Sequence, residues 1–344
     1  MKTKVVILSL FLAIFYACSS SKVTSNTSTK DQAITLISTI TNKAPYDPRP
    51  GMEKLESKNG KNMHFLVFGD SKGSKYLQDV LKISDQLNPQ FCITTADFVN
   101  KGAGKIGEKE YKELDENSGW FFRKYPTWPT LGNHEVYNLK YKIDYESGVK
   151  NFGDFFGLKN PYYSFTYGNA KFIALDWIKV SESEERLIWL EKELKTAQGK
   201  HIFIFKHRPY YTVGSKSYKD VEGKSTVATK LFTKYKVTAV FSGHDHLYYR
   251  TLRDNVPYII SSGAGASIYK LKREGDAISG DAYYGREVEN KNLFRFHPSK
   301  GEDVNFNEAM YFVISVKVNR KKITFEMIDT NGKTWDKYSF KSDI

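Results

Sequence analysis

Two short strings, Gly132-Asn133-His134-Glu135 and Gly243-His244-Asp245-His246, set amide and imidazole groups directly behind a glycine. Each follows an apolar run that reads as a buried strand. With Asp70, Asp97 and His207 they form a scattered set of carboxylate, amide and imidazole donors. Hard and borderline donors of this kind suit divalent ions. A set this large fits a two-metal hydrolytic site, where one carboxylate bridges two ions that share a hydroxide. His244 and His246 are two apart, so extended chain would point them to opposite faces. Gly243 lets the backbone turn sharply after the strand, and a loop then aims both rings at one cluster. A lone His-x-His is weak evidence. A Gly-Asn-His-Glu, then a His in a strand-end loop, then Gly-His-x-His is a specific order.

The elements that must position these donors alternate strand and helix. Residues 65–68 form an apolar run ending at Gly69-Asp70, and Leu77, Val80, Leu81 and Leu87 share one helical face before Pro89. Residues 91–95 are the next strand and end at Asp97. Residues 171–176 follow, then a helix capped by Ser183 and carrying Leu187, Leu190 and Leu194. Residues 201–206 lead to His207, and 237–241 lead to Gly243. The donors thus sit just past the C-terminal ends of strands, where open α/β sheets bind ligands. Residues 270–308 read as charged loop with Tyr283, Tyr284, Phe294 and Phe296 interspersed. From Phe312 a period-two pattern (Ile314, Val316, Ile323, Phe325, Met327) with a turn at Asn331-Gly332 marks closing strands.

Taken together, Gly69-Asp70-Ser71-Lys72-Gly73, Ala96-Asp97-Phe98-Val99-Asn100, the Gly132 string, Lys206-His207-Arg208-Pro209 and the Gly243 string resemble the calcineurin-like metallophosphoesterases, in their purple-acid-phosphatase-like branch. The match spans roughly residues 62–262. It implies an α/β fold, a four-layer αββα sandwich of two mixed sheets flanked by helices. It also implies a metal-dependent hydrolase of phosphoric esters, working through a dinuclear centre and a metal-bound hydroxide. The ions would be divalent, such as Mn, Zn or Fe. Asp70, Asp97 and His246, helped by Asn100, would hold the first. Asn133, His207, His244 and the shared Asp97 would hold the second. His134 would donate a proton to the leaving oxygen or hold the phosphate, and Glu135 would orient His134 or a loop amide.

Three positions depart from the pattern. Lys72 stands where many members carry a metal-binding histidine, and an ammonium cannot ligate a cation. Ala96 replaces a glycine. Asn100 takes the place of the tyrosine that gives purple enzymes their colour, so a colourless enzyme is expected. Two divalent ions contribute +4, two carboxylates −2 and the hydroxide −1, which leaves the site ready for an anion. Lys72, Asn133 and Arg208 are the candidate substrate contacts, Arg208 through two parallel hydrogen bonds to phosphate. Singly, Asp70 and Asp97 would read as turn caps. The alternative function is a degenerate-site lipoprotein acting as a binding or scaffold protein.

Composition sets the frame. The 344 residues are 40% hydrophobic and 26% charged, with 15% aromatics and a formal charge of +13. The lysines are dispersed, and no nucleic-acid module is legible, so no specific nucleic acid is expected as partner; the resemblance implies a phosphorylated substrate. Lys2 and Lys4 flank an apolar run over residues 5–17, too short to span a bilayer, followed by Cys18 and serines. This reads as a signal peptide over 1–17, a lipidated Cys18 and Ser/Thr-rich tether over 18–60, and a catalytic domain over 61–344. The expected place is the cell envelope, after secretion across the inner membrane, with a lipid anchor in the periplasm or outer membrane. Cys92, the other cysteine, reads as a small core residue.

Overall fold

Successive side chains of β1 (Asn62–Phe68) point to opposite sides, and the chain supplies apolar partners for both. The computed structural model describes residues 44–56, 62–158, 160–176, 183–215 and 226–344. Parallel to β1 run β2 (Phe91–Thr94) and β3 (Thr127–Pro129). On its other edge β13 (Phe312–Asn319), β14 (Lys322–Asp329) and β15 (Thr334–Lys341) add in antiparallel order, giving the sheet β15-β14-β13-β1-β2-β3.

A second sheet is built on β5 (Ala170–Leu175), β6 (His201–Lys206), β7 (Ala239–Ser242) and β9 (Val256–Ser261), which are parallel neighbours in that order. The strand β4 (Tyr163–Tyr167) closes one edge. The other edge is extended by β8 (Tyr248–Arg253), β10 (Ala282–Arg286), β11 (Phe294–His297) and β12 (Val304–Phe306).

The inner faces of the two sheets meet through aromatic rings. Phe65 of β1 packs edge-on against Phe172, Phe203 and Phe241 of the second sheet, with centroids 5.2, 5.2 and 6.3 Å away. On the outer face of the first sheet, Phe68 meets Phe121 of helix α3 (Gly104–Lys124) at 6.0 Å. On the outer face of the second, Ile202, Ile204 and Val240 pack with Leu190 and Leu194 of α5 (Glu184–Thr196) and Phe232 of α6 (Val227–Lys234). Helix, sheet, sheet and helix make the four-layer αββα sandwich expected from the motifs. Cys92 is a buried free thiol in β2.

Three expectations are refined. Within 270–308 three strands, β10 to β12, replace the expected loop, because Tyr283, Tyr284 and Phe296 are buried and their backbones continue the second sheet past β8. Ser183 takes the N-cap position of α5 without a side-chain hydrogen bond to the helix. The folded chain also begins ahead of residue 61: Tyr46 and Met52, the latter on α1 (Arg49–Glu56), are buried, and the Tyr46 ring lies 4.7 Å from Phe155 of α4 (Tyr145–Phe156). Residues 1–43, which carry the expected signal segment, Cys18 and most of the tether, lie outside the described residues. Among those described, no helix is long and apolar enough to cross a membrane.

Candidate metal centre

Five loops, each leaving the C-terminal end of a strand, converge between the sheets. The loops after β1 and β2 bring Asp70 and Asp97, the loop after β3 brings Asn133 and His134, and those after β6 and β7 bring His207, His244 and His246. The turns are tight. Asp70, Ala96, Asp97 and His244 all have positive φ, at 63°, 76°, 54° and 70°. Such conformations cost on the order of 1 kcal/mol or more each outside glycine, and persist where the surroundings over-determine them. Glycine is needed where backbones close in. A Cβ on Gly243 would lie 2.5 Å from Asp70 Oδ2, and one on Gly132 would collide with Asp97 Oδ1.

Backbone groups fix the side chains. Glu135 accepts hydrogen bonds from the amides of Asp97, Phe98 and Gly132 at 3.0, 2.9 and 2.8 Å, which ties the second and third donor loops together as expected of a loop-orienting carboxylate. The His134 amide donates to Asp97 Oδ1 at 3.0 Å, and the His244 amide to Asp70 Oδ1 at 3.0 Å. Asp245 serves the neighbouring loop, accepting from the Thr212 hydroxyl at 2.6 Å.

Three imidazoles have their tautomer set by a main-chain carbonyl. Nδ1–H of His207 donates to Thr95 O at 2.7 Å, that of His246 to Ser267 O at 2.9 Å, and that of His134 to Asn100 O at 2.7 Å. In each neutral ring Nε2 is then left with its lone pair. His207 Nε2 points at Asn133 Oδ1, 2.9 Å away, with Asp97 Oδ1 at 3.4 Å and His244 Nδ1 at 3.2 Å. His244 Nδ1 is itself 2.9 Å from Asn133 Oδ1. On the other side, His246 Nε2 faces Asp70 Oδ1 at 3.6 Å. Asp70, Asp97 and His246 offer donor atoms all within 4.8 Å of one another. Asp97 Oδ2 and His246 Nε2 are buried with no hydrogen-bond partner. Lone pairs facing lone pairs in a buried site call for a cation, and the carboxylate, amide and imidazole donors suit a divalent one. The residues present fit two ions, with Asp97 between them.

Charge follows the geometry. Burial and then the nearby Asp97 push Asp70 well up. Burial also acts to raise Asp97, but His207, His134 and Lys72 outweigh it and hold that carboxyl down at about 2. Burial holds His207 down at about 4 and His244 and His246 well below the usual imidazole range, so the rings are neutral and able to ligate.

The flanking candidates divide. Lys72 reaches in: its Nζ lies 3.9 Å from Asp97 Oδ2 and donates to the Tyr269 hydroxyl at 3.5 Å. Arg208 is half-buried beside His207, and its charge acts on His244. The side-chain Nδ2 of Asn100 donates to the Tyr141 hydroxyl at 3.0 Å, and its main-chain carbonyl holds His134, so it positions that ring. His64, His201 and His297 are structural, bonded to Ser315 Oγ, Arg320 O and Asp303 Oδ1. Tyr269, which carries no motif in the sequence, is the residue that sequence reasoning missed. Its ring stacks on His246 at 3.9 Å and 16°.

A family model described as calcineurin-like phosphoesterase matches residues 63–248. The chain belongs to the calcineurin-like phosphoesterase family. Within it, the chain is similar to the human tartrate-resistant acid phosphatase type 5, at 25% identity over 75% of this chain and 81% of that protein. It is 28% identical to purple acid phosphatase 23 of Arabidopsis thaliana over 43% of this chain, but spans only 36% of that relative's length. In fold it resembles purple acid phosphatase PPD1 from yellow lupin, with a TM-score of 0.59 at 15% identity, over 82% of this chain and 54% of that one. The phosphoesterase family model thus covers the stretch that carries all the converging side chains.

Proposed function

We propose that the chain hydrolyses phosphoric esters at a dinuclear divalent-metal centre. Asp70, Asp97 and His246 would hold one ion, and Asp97, Asn133, His207 and His244 the other. The observation that carries this is the convergence of ring nitrogens and oxygens on two points astride Asp97. When bound, the ions supply an activated water and offset charge on the phosphoryl oxygens.

The chain's own groups do the rest. His134 Nε2 lies 3.9 Å from Asp97 Oδ2, at the open side of the pocket. Burial lowers the His134 pKa, and Asp97 partly opposes that. The ring therefore takes its Nε2 proton when a phosphate anion arrives beside it, and passes that proton to the leaving oxygen. Asn100 O keeps the other proton in place and so aims the ring. Lys72 and Arg208 add positive charge toward the phosphoryl oxygens. Export and lipidation at Cys18, with residence in the cell envelope, complete the proposal and rest on the residues 1–43 pattern alone.

The test is chelation and reloading. Metal-stripped protein should lose phosphate release from a monoester panel and regain it with Mn or Zn. His134→Ala should keep its metals yet turn over on the order of 10²–10⁴-fold more slowly. Full activity in metal-free protein would overturn the proposal.

A further inference from the structure

Beyond His134 the chain turns back on itself in a short hairpin that the metal chemistry does not require. Tyr137 and Ile143 pair across its base, Asn138 N donates to Lys142 O at 2.9 Å, and Tyr141 N donates to Asn138 O at 2.9 Å. The Asn138 side chain fills the turn, its Oδ1 accepting from the amides of Lys140 and Lys142 at 3.0 and 3.1 Å. Tyr141 takes the left-handed position of this loop at φ 54°, where glycine is the usual residue. The base is pinned as well: Ala103 N donates to Tyr137 O at 3.1 Å and Asp144 N to Val136 O at 2.8 Å. The hairpin is therefore held in one shape before it meets anything.

Its tip, Leu139-Lys140-Tyr141-Lys142-Ile143, alternates apolar and cationic side chains, and all five are exposed. Leu139, Tyr141 and Ile143 are 63%, 51% and 58% exposed, whereas the other large apolar side chains left open among the described residues are scattered one to an element or loop. A contiguous apolar display of this kind marks a contact surface. The Lys101 ammonium, 4.4 Å from the Tyr141 ring centre, adds a third cation at the same edge. Two neighbouring acids are taken up by main-chain amides. Asp144 accepts from Ser147 N at 3.3 Å, and Glu110 Oε2 from the amides of Asn100 and Lys101 at 2.6 and 2.9 Å.

We propose that this hairpin docks on an anionic lipid bilayer: Leu139, Tyr141 and Ile143 enter the boundary between headgroups and acyl chains, and Lys140, Lys142 and Lys101 meet the lipid phosphates. Apolar residues interleaved with lysines fit that boundary, which offers hydrocarbon and negative charge at adjacent depths. A five-residue tip is too small for the roughly 800 Å² per partner of a stable protein interface, and a bilayer needs no complementary shape. Because the tip is preformed, little further ordering opposes docking. The formal charge of +13 adds long-range attraction to the same surface. The rings of Tyr137 and Tyr141 lie 5.2 and 6.4 Å from the His134 ring, so docking would set the open side of the metal centre against the bilayer. Docking of this kind requires neither turnover nor a lipid on Cys18.

The experiment puts an environment-sensitive fluorophore on Leu139→Cys in the full chain carrying Cys18→Ser, where the remaining thiol, Cys92, is buried. A matched label goes on Ile188→Cys of α5, a position that is also 63% exposed. Vesicles of phosphatidylglycerol mixed with phosphatidylcholine are compared with vesicles of phosphatidylcholine alone. On the anionic vesicles the label at 139 should shift to the blue and be quenched by lipids brominated on their acyl chains, while the label at 188 stays in water. Lys140→Gln with Lys142→Gln should weaken that insertion about tenfold or more, as two lost lysine–headgroup attractions require. Ile143→Ser, at an exposed position, should weaken it several-fold. A label at 139 that stays in water on both kinds of vesicle would overturn the proposal, even where the apolar run over residues 5–17 holds the chain to the lipid. So would equal quenching of the two labels, or insertion indifferent to lipid charge and to the lysine changes. Shielding of the label at 139 without vesicles, growing with protein concentration, would assign the hairpin to a second copy of the chain and overturn it too.

Discussion

The two halves of the proposed metal centre share Asp97 and the loop after β7, yet they are furnished differently. Around Asn133, the His244 imidazole, the Asn133 amide oxygen and Asp97 Oδ1 crowd within 3.4 Å of His207 Nε2. Around Asp70, two carboxylates and His246 converge, but Asn100 is turned to Tyr141 and the Lys72 ammonium stands 3.9 Å from Asp97 Oδ2. One half has four neutral or anionic donors, with the Arg208 charge acting on one of them, His244, and no ammonium beside its carboxylate oxygen. The other has three donors and a tethered positive charge. Affinity for an ion follows from the balance of donors and competing charge, so the half around Asn133 should fill first and hold harder.

The largest effects come from removing ligands. His244→Ala should empty the tighter half and abolish hydrolysis, and Asp97→Asn, which weakens both halves at once, should do the same. Asp70→Asn should leave one ion per chain by elemental analysis. Two ions retained in Asp70→Asn, or loss of both, would break the division into halves.

That division shows what the sequence made legible. The side chains that converge, Asp70, Asp97, Asn133, His207, His244 and His246, were readable, because each needs a particular residue type at a strand end. The features that complete them were not. The carbonyls of Thr95, Ser267 and Asn100 that set the tautomers are main-chain atoms, and any residue type supplies one. Tyr269 arrives from a loop 23 residues beyond His246, as their numbers show, and its role exists only in the stack. Asn100 was placed by chain order beside the first ion, and its tie to Tyr141 depends on a neighbour that chain order does not show. Residues 282–306 were obscured in the same way. Charges interleave with their aromatics, as suits strands near the edge of a sheet, and that masks the alternation by which the closing strands 312–327 were recognised.

A middle-sized effect sharpens the comparison. Lys72→Met removes the rival cation but keeps the length of the side chain. Two unit charges about 4 Å apart exchange roughly 4 kcal/mol at an effective dielectric of 20, and a flexible lysine avoids much of that by swinging outward. The weaker ion should therefore bind on the order of tenfold more tightly in the variant, with the stronger ion little changed. Metal titration followed by calorimetry reads both steps. An unchanged weaker step would mean that the missing fourth donor, not the ammonium, makes the halves unequal.

The smallest effect tests how Lys72 is accommodated once an ion is present. The Tyr269 hydroxyl accepts from Lys72 Nζ at 3.5 Å, while its ring stays stacked on His246 independently of that hydroxyl. An ion beside Asp97 Oδ2 repels the ammonium, and the phenol oxygen gives it a partner away from the carboxylate. Burial, then Asp70 and Asp97, push the phenol pKa up, so the group stays neutral and offers a dipole rather than a charge. Tyr269→Phe removes only that dipole. A net hydrogen bond contributes about 0.5–1.5 kcal/mol, so the weaker ion should loosen by about two- to tenfold. In the Lys72→Met background the same change should do almost nothing, because the hydroxyl acts through the ammonium. An equal loss in both backgrounds would show instead that the phenol acts on the first ion directly, as a further donor.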